Sequence, residues 1–250
     1  MFDKIFKRKP KIEFVSLIDG VADAYPVIPA SAYKPKWTEA AYKEYKELKQ
    51  QNPAFNHITL CPGIFDMFKT GFIIPAWHDL LVRTNGDHKT FQWAIPEVDS
   101  LDIEGFSPIG SHMDELTTLM PKRPHSLKGV LKFNTPWRII APKGIKFLML
   151  PVPYDDQQIF ESSMGILNPA ISNEINIQVH WNALNSEEKI KAGTPLCYML
   201  PITDKDYELV VRTYTDHDLK WEKKKSFVNS STFFPNRNKL ANMYYKHFKT

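Results

Sequence analysis

Apolar and polar residues alternate along much of this chain. Glu174 to Asn182 is the clearest case: Ile175, Ile177, Val179 and Trp181 face one way, and Asn176, Gln178, His180 and Asn182 the other. Strict period-two alternation predicts a strand with one buried and one wet face. Lys11 to Ile18 alternates as well, and Asp19-Gly20 ends it. Gly71 to Thr84 reads as a long strand broken at Pro75, whose missing N–H marks an edge or a bulge. Asn85-Gly86 signals a hairpin turn, with Thr90 to Ile95 as the return strand. Lys128 to Asn134, Trp137 to Ala141, Leu196 to Ile202 and Tyr207 to Tyr214 complete the set. Ile145 to Val152 is apolar on both faces, at Phe147, Leu148, Met149 and Leu150, which predicts a strand between two layers. Pro142-Lys143-Gly144 turns the chain into it, with Pro presetting φ and Gly free to take φ > 0.

The period changes to that of a helix in two places. Over Trp37 to Gln50, Trp37, Ala41, Tyr45 and Leu48 share a face, and Glu39/Lys43 and Lys43/Glu47 sit one turn apart on another. That aromatic stripe is expected to pack on the β-core. Over Asn236 to Lys249 the stripe is Leu240, Met243, Tyr244, His247 and Phe248. Asp218 to Lys225 is charged and can be helical, while Pro96 to Met120 reads as an acidic, irregular loop. Short strands with Pro and Gly turns predict a mainly β fold, a two-layer antiparallel β-sandwich or jelly-roll-like body with one N-terminal and one C-terminal helix. The expected division is an arm and helix over 1–54 packed on the body, a β-sandwich domain over 55–214, and a basic helical extension over 215–250.

Composition adds constraints. The 250 residues are 43% hydrophobic and 24% charged, as in globular proteins, and suffice for one large core. Nineteen Pro against ten Gly suit strands ended by Pro-bearing turns, not a glycine-cradled nucleotide site. Cys61 and Cys197 form no C-x-x-C pair, so a thiolate zinc cluster is excluded and a disulfide framework is not expected. The net charge is +4, yet residues 1–11 carry about +4 and residues 220–250 about +7, leaving the middle near −7. Basic ends on an acidic body suit a protein partner or a second copy of the chain, with nucleic acid reached only through the ends. On that view, removing residues 1–10 or 236–250 disrupts assembly and leaves the body folded. No apolar run suits a signal peptide or a membrane span, so we expect a protein that is neither secreted nor membrane-bound.

A set of short motifs occurs in order: Cys61-Pro62-Gly63-Ile64, Gly71-Phe72-Ile73-Ile74-Pro75-Ala76-Trp77-His78-Asp79, Thr135-Pro136-Trp137, Ala141-Pro142-Lys143-Gly144 and Ala192-Gly193-Thr194-Pro195-Leu196. In these the chain resembles an uncharacterised β-sandwich family found in tailed phages, including marine cyanophages, and in some bacteria. The resemblance covers about residues 55–205. It implies a phage-encoded protein with a two-layer β-fold, found in the virion or in the cytoplasm of the infected cell, and it implies no reaction.

Two constellations carry possible chemistry. Ser111-His112-Met113-Asp114 with the distant His180 matches the two-histidine, one-carboxylate set that holds iron(II) in jelly-roll oxygenases, with Lys189 or Lys191 available for a 2-oxoglutarate carboxylate. In the resembling family that segment reads Ser-His-Phe-Gly, without the carboxylate. Asn176, Gln178, His180 and Asn182, with Lys191, form a row suited to a polar ligand or a carbohydrate; the same row also suits the wet face of an antiparallel sheet. His78 and Asp79 are adjacent in a strand and so point apart. Cys197 lies in an apolar run, where burial makes a poor nucleophile. No G-x-S-x-G, Walker loop, G-x-G-x-x-G or H-E-x-x-H occurs. The leading expectation is a non-enzymatic structural or interaction protein that needs no cofactor and docks through its basic ends. The alternatives are an iron(II)/2-oxoglutarate oxygenase using His112, Asp114 and His180, and a polar-ligand or carbohydrate-binding module.

Overall fold

The computed structural model describes residues 9–96, 107–112, 121, 123–231 and 236–250. In chain order the elements begin with β1 (Lys11–Ser16), α1 (Val21–Ala24), β2 (Ile28–Pro29), α2 (Lys36–Gln51), α3 (Pro62–Phe65), β3 (Phe72–Pro75), β4 (Leu80–Thr84) and β5 (Phe91–Ala94). There follow β6 (Ile109–His112), β7 (Val130–Ile140), β8 (Lys146–Leu150), β9 (Phe160–Ser162), β10 (Gly165–Leu167) and β11 (Glu174–Trp181). The chain closes with β12 (Glu187–Ile190), β13 (Pro195–Ile202), β14 (Glu208–Thr213), α4 (Asp216–Ser230) and α5 (Arg237–Phe248). The fold is mainly β, with one long helix near the N-terminus and two at the C-terminal end.

Among the described residues the strands form three sheets. The first has the order β14-β1-β7-β11-β9, with β6 also on β7; the second is β10-β8-β13-β3-β2; the third is β12-β4-β5. Pairing is antiparallel throughout except between β1 and β14, which run parallel. The all-antiparallel expectation fails there because the chain end returns to the free edge of β1. Since β1 and β2 belong to the two large sheets, the segment before residue 55 supplies strands to them and does not only pack on them.

The strands predicted on either side of Pro136 are one strand, β7. The proline is accommodated because its carbonyl accepts Leu17 N–H while the register of β11 slips opposite it, between Glu174 and Asn176. Thr135 Oγ1 donates to Ile175 O at 2.7 Å beside the slip, satisfying a carbonyl that the ladder leaves. The Asn85-Gly86 hairpin exists, but Thr84 opposes Phe91, so its loop is longer than two residues. Asp87 holds that loop by accepting Lys89 and Thr90 N–H at 2.7 and 2.8 Å. Pro142 to Ile145 turns as expected, with Gly144 at φ +91°.

Alternation decides what meets in the core. Ile12 and Phe14 of β1, Leu131 and Phe133 of β7 and Ile177 of β11 join Phe72 and Ile74 of β3, Phe147 of β8 and Met199 of β13 in one apolar cluster. Phe14 meets Phe72 edge-on, with ring centroids 5.0 Å apart, which links the first sheet to the second. A smaller cluster of Ala30, Ile73 and Tyr198, with Leu150 and Leu200 against it, covers the other face of the second sheet. That partial cover explains why β8 is apolar on both faces although only Phe147 within it is fully buried.

The helices depart from expectation in depth and number. Trp37, Ala41, Tyr45 and Leu48 of α2 are only half-buried. The Trp37 and Tyr45 rings meet α3 and loops, not a sheet: Trp37 lies 6.4 Å from Phe65 and 6.3 Å from Tyr154, and Tyr45 lies 5.6 Å from His57. At the other end, the charged stretch after residue 215 is a full second helix, started by a Thr215/Asp218 capping box.

Candidate functional site

The polar row lies on the outer face of the first sheet. β6 and β11 flank β7, with His112 opposite Val130 and Val179 opposite Leu131. Continuing that register sets His180 on the other side of Val130, so the two histidines share one face about 10 Å apart along the sheet, two strand spacings. The Gln178 amide lies 3.3 Å from His112 Nε2 and donates to it. His180 opposes Glu161 of β9, and Arg123 donates to Glu161 Oε1 at 2.7 Å. The Arg123 hydrogen bonds hold Glu161 below the ordinary carboxylate range, and His180 adds to this. Asp114 lies outside the described residues. Among the described residues no group of three His, Cys, Asp or Glu side chains gathers where it can hold a metal.

Asn176 is half-buried beside Glu174, with Nδ2 3.5 Å from Oε2, and Asn182 Nδ2 donates to Gln158 O at 3.3 Å. Lys191 does not join this row. It follows β12, whose partner is β4 in the third sheet, whereas β11 belongs to the first. Lys189 ion-pairs with Asp79. His78 Nδ1 donates to the backbone carbonyl of Asp79 at 2.6 Å, while the Asp79 carboxylate accepts Ala192 N–H at 2.9 Å, so the neighbours form no dyad. Cys197 is fully buried, and desolvation pushes its thiol far upward, out of reach of thiolate chemistry.

Two concavities escaped the sequence reading. A polar pocket of about 350 Å³ lies where the β8–β9 connection meets β11; Tyr154, Asp155, Gln157, Glu161 and Asn182 line it. The run Tyr154-Asp155-Asp156-Gln157-Gln158 after a Pro-Val-Pro turn was the available signal: polar side chains around one aromatic, with no apolar partner in sequence. An open groove of about 1490 Å³ runs between α2 and the α3 segment. Lys34, Lys36, Lys43, Lys46 and Lys69 line it against only Glu39 and Asp66, and Tyr42, Leu60 and Phe65 supply its apolar surface. Lys69 is paired with Asp66. Among the described residues the other four lysines make no ion pair.

The basic C-terminal extension is built into the fold. Trp221 of α4 and Tyr244 of α5 are buried against each other, centroids 5.6 Å apart, and Tyr244 Oη accepts Ala141 N–H at 2.9 Å. Lys225, only 7% exposed, donates to Glu174 and Glu222 at 2.8 Å each. Removing α5 would uncover Trp221 and strand the Ala141 N–H, so residues 236–250 are not a detachable arm. No helix among the described residues is long and apolar enough to cross a membrane. No family model matches the chain, and no curated protein matches it.

Proposed function

We propose that this chain is a phage-encoded, non-enzymatic interaction protein. In this reading the first and second sheets pack face to face as a β-sandwich, and the docking surface is the lysine-lined groove beside α2. The ordered motifs support the phage assignment, and they occupy architectural positions: Gly71 under Tyr198, Pro136 at the β11 slip, Gly144 in its turn. The observation that carries the docking role is the groove itself, where four lysines with no carboxylate partner among the described residues border exposed Tyr42 and Leu60. The occupant fitting that surface is an acidic peptide segment with aromatic or aliphatic anchors. Its carboxylates meet the lysines and its apolar side chains cover the floor. In this reading the C-terminal basic end serves the fold, since Lys225 of α4 and Tyr244 of α5 are buried in it, while residues 1–8 of the N-terminal basic end lie outside the described residues.

A labelled acidic amphipathic peptide, followed by fluorescence anisotropy, tests this. Binding is expected to weaken steeply with added salt. The combined change Lys36→Glu, Lys43→Glu, Lys46→Glu is expected to weaken it at least about tenfold, while a counterpart peptide with its acids replaced by amides binds neither form. Equal binding by the parent and the triple variant, with circular dichroism unchanged, would overturn the assignment.

A further inference from the structure

The polar pocket beside β11 has a chemistry distinct from the groove. Its volume, about 350 Å³, suits a ligand of one or two rings. Pro151, Val152, Pro195 and Leu196 give it apolar surface, and Asp155, Gln157 and Asn182 give it polar groups. Gln157 Oε1 is occupied by Ile159 N–H at 2.7 Å, which leaves the Gln157 amide N–H₂ as a donor. Asn182 uses its amide N–H₂ on Gln158 O, which leaves its Oδ1 as an acceptor. Asp155 is half-buried and held by Tyr33, whose hydroxyl donates to Oδ1 at 3.1 Å. Burial pushes Asp155 upward, which favours hydrogen bonding over ion pairing at that carboxyl. Glu161 is already neutralised by Arg123.

Tyr154 stands at the rim, 51% exposed, in a left-handed conformation at φ +53°. A side chain other than Gly or Asn pays steric strain there, and half of this large ring is still left in solvent. It is nevertheless pinned: Trp37 Nε1 donates to Tyr154 O at 2.7 Å, and the Trp37 ring meets the Tyr154 ring edge-on at 6.3 Å. A rigid, half-wet aromatic beside separate donors and acceptors matches a ligand with an apolar ring face and hydroxyls around its edge.

We propose that this pocket binds a neutral saccharide, with Tyr154 stacked on one sugar face and Gln157, Asn182 and Asp155 reading its hydroxyls. A neutral ligand is preferred because burial disfavours charge at Asp155 and Glu161 is already paired with Arg123. The site adjoins the α2 groove through Tyr33 and Trp37, but the residues that would meet each ligand differ, so either assignment can fail alone.

Saturation-transfer-difference NMR on the full chain, with glucose, galactose, mannose, N-acetylglucosamine and α- and β-linked glucose disaccharides, tests the proposal. Transfer to at least one sugar is expected. Tyr154→Gly relieves the left-handed strain, so its melting temperature should hold or rise while sugar binding falls at least about tenfold. Asn182→Ala should weaken binding without altering the fold, and Lys43→Glu should leave it unchanged. Absence of transfer to every sugar in the parent, or equal transfer in parent and Tyr154→Gly, overturns the assignment.

Discussion

Gly71 sits at φ +83°, between the small helical segment after α3 and the start of β3. A Cβ placed there would lie 2.7 Å from Met199 O and 2.7 Å from the Tyr198 ring. Neither can retreat: the carbonyl belongs to β13, and Tyr198 is buried with its hydroxyl donating to Met67 O and Thr70 O. Gly71→Ala therefore combines backbone strain with a clash, and we expect a loss of about 2–4 kcal/mol by urea titration. Gly144, at φ +91°, has nothing within 4 Å of its would-be Cβ. Gly144→Ala carries only the conformational cost, about 1 kcal/mol. A similar loss in both variants would show that the Tyr198 contact does not constrain Gly71. The sequence distinguishes these two glycines poorly. Pro142-Lys143-Gly144 announces its turn locally, whereas the need for glycine at 71 comes from residues more than a hundred positions away.

At the scale of elements, the joint between α4, α5 and the first sheet is held by titratable groups. His217 and His247 stack with centroids 4.0 Å apart, and each Nε2 donates to the other's backbone carbonyl, at 3.1 and 2.9 Å. Lys224 donates toward His247 Nδ1, and Asp218 is the facing acid. Burial first, with the charges of His217 and Lys224 adding to it, holds His247 below the ordinary histidine value of about 6.5, against the hydrogen bond to the His217 carbonyl and the Asp218 charge. Glu174 and Asp218 are held low too: burial opposes their charge, but Arg138 and Lys225 offset it for Glu174, and Arg212 and Thr215 for Asp218. All three shifts have one sign, since the unfolded chain binds more protons than the folded one. His247 contributes fully above about pH 6.5 and loses its contribution as pH falls, and the carboxylates follow below about pH 4. Hydrogen exchange should show α5 losing protection between pH 7.5 and 5.5, and α4 only near pH 4. Unchanged α5 protection at pH 5.5, or an identical pH response in His247→Gln, would refute the histidine step. Legibility tracked this locality. The stripe of α5 and the alternation of β11 were readable because burial there follows the helical or strand period. The strands β9, β10 and β12, of three or four residues, were not, because they pair with distant partners and carry too few residues for a period. The pocket at Tyr154 was hidden for a related reason: it joins a loop to Asn182, and only half of that pair stood in a patterned strand.

At the scale of the molecule, the question is whether the two large sheets act as one body. The first sheet reaches the second through Phe14 and Phe72, both fully buried, and Phe72 also lies 6.4 Å from Phe147 and 5.6 Å from Tyr207. Truncating either ring leaves a cavity that neighbours on both sheets must share. Phe72→Ala is expected to cost about 3–5 kcal/mol. At this chain length that lowers the melting temperature by roughly 6–20 °C. If the sheets face each other across one core, the double variant should cost less than the sum of the single ones. The expected coupling is about 0.5–1.5 kcal/mol, the value of an edge-on aromatic pair. Thermal unfolding should then remain one transition in every variant, because neither sheet can bury its inner face alone. Additive losses together with two separated transitions would mean independent layers and would sink the sandwich arrangement. That result would also change the reading of β1, whose parallel pairing with β14 would then serve to close the first sheet, with no part in joining it to the second.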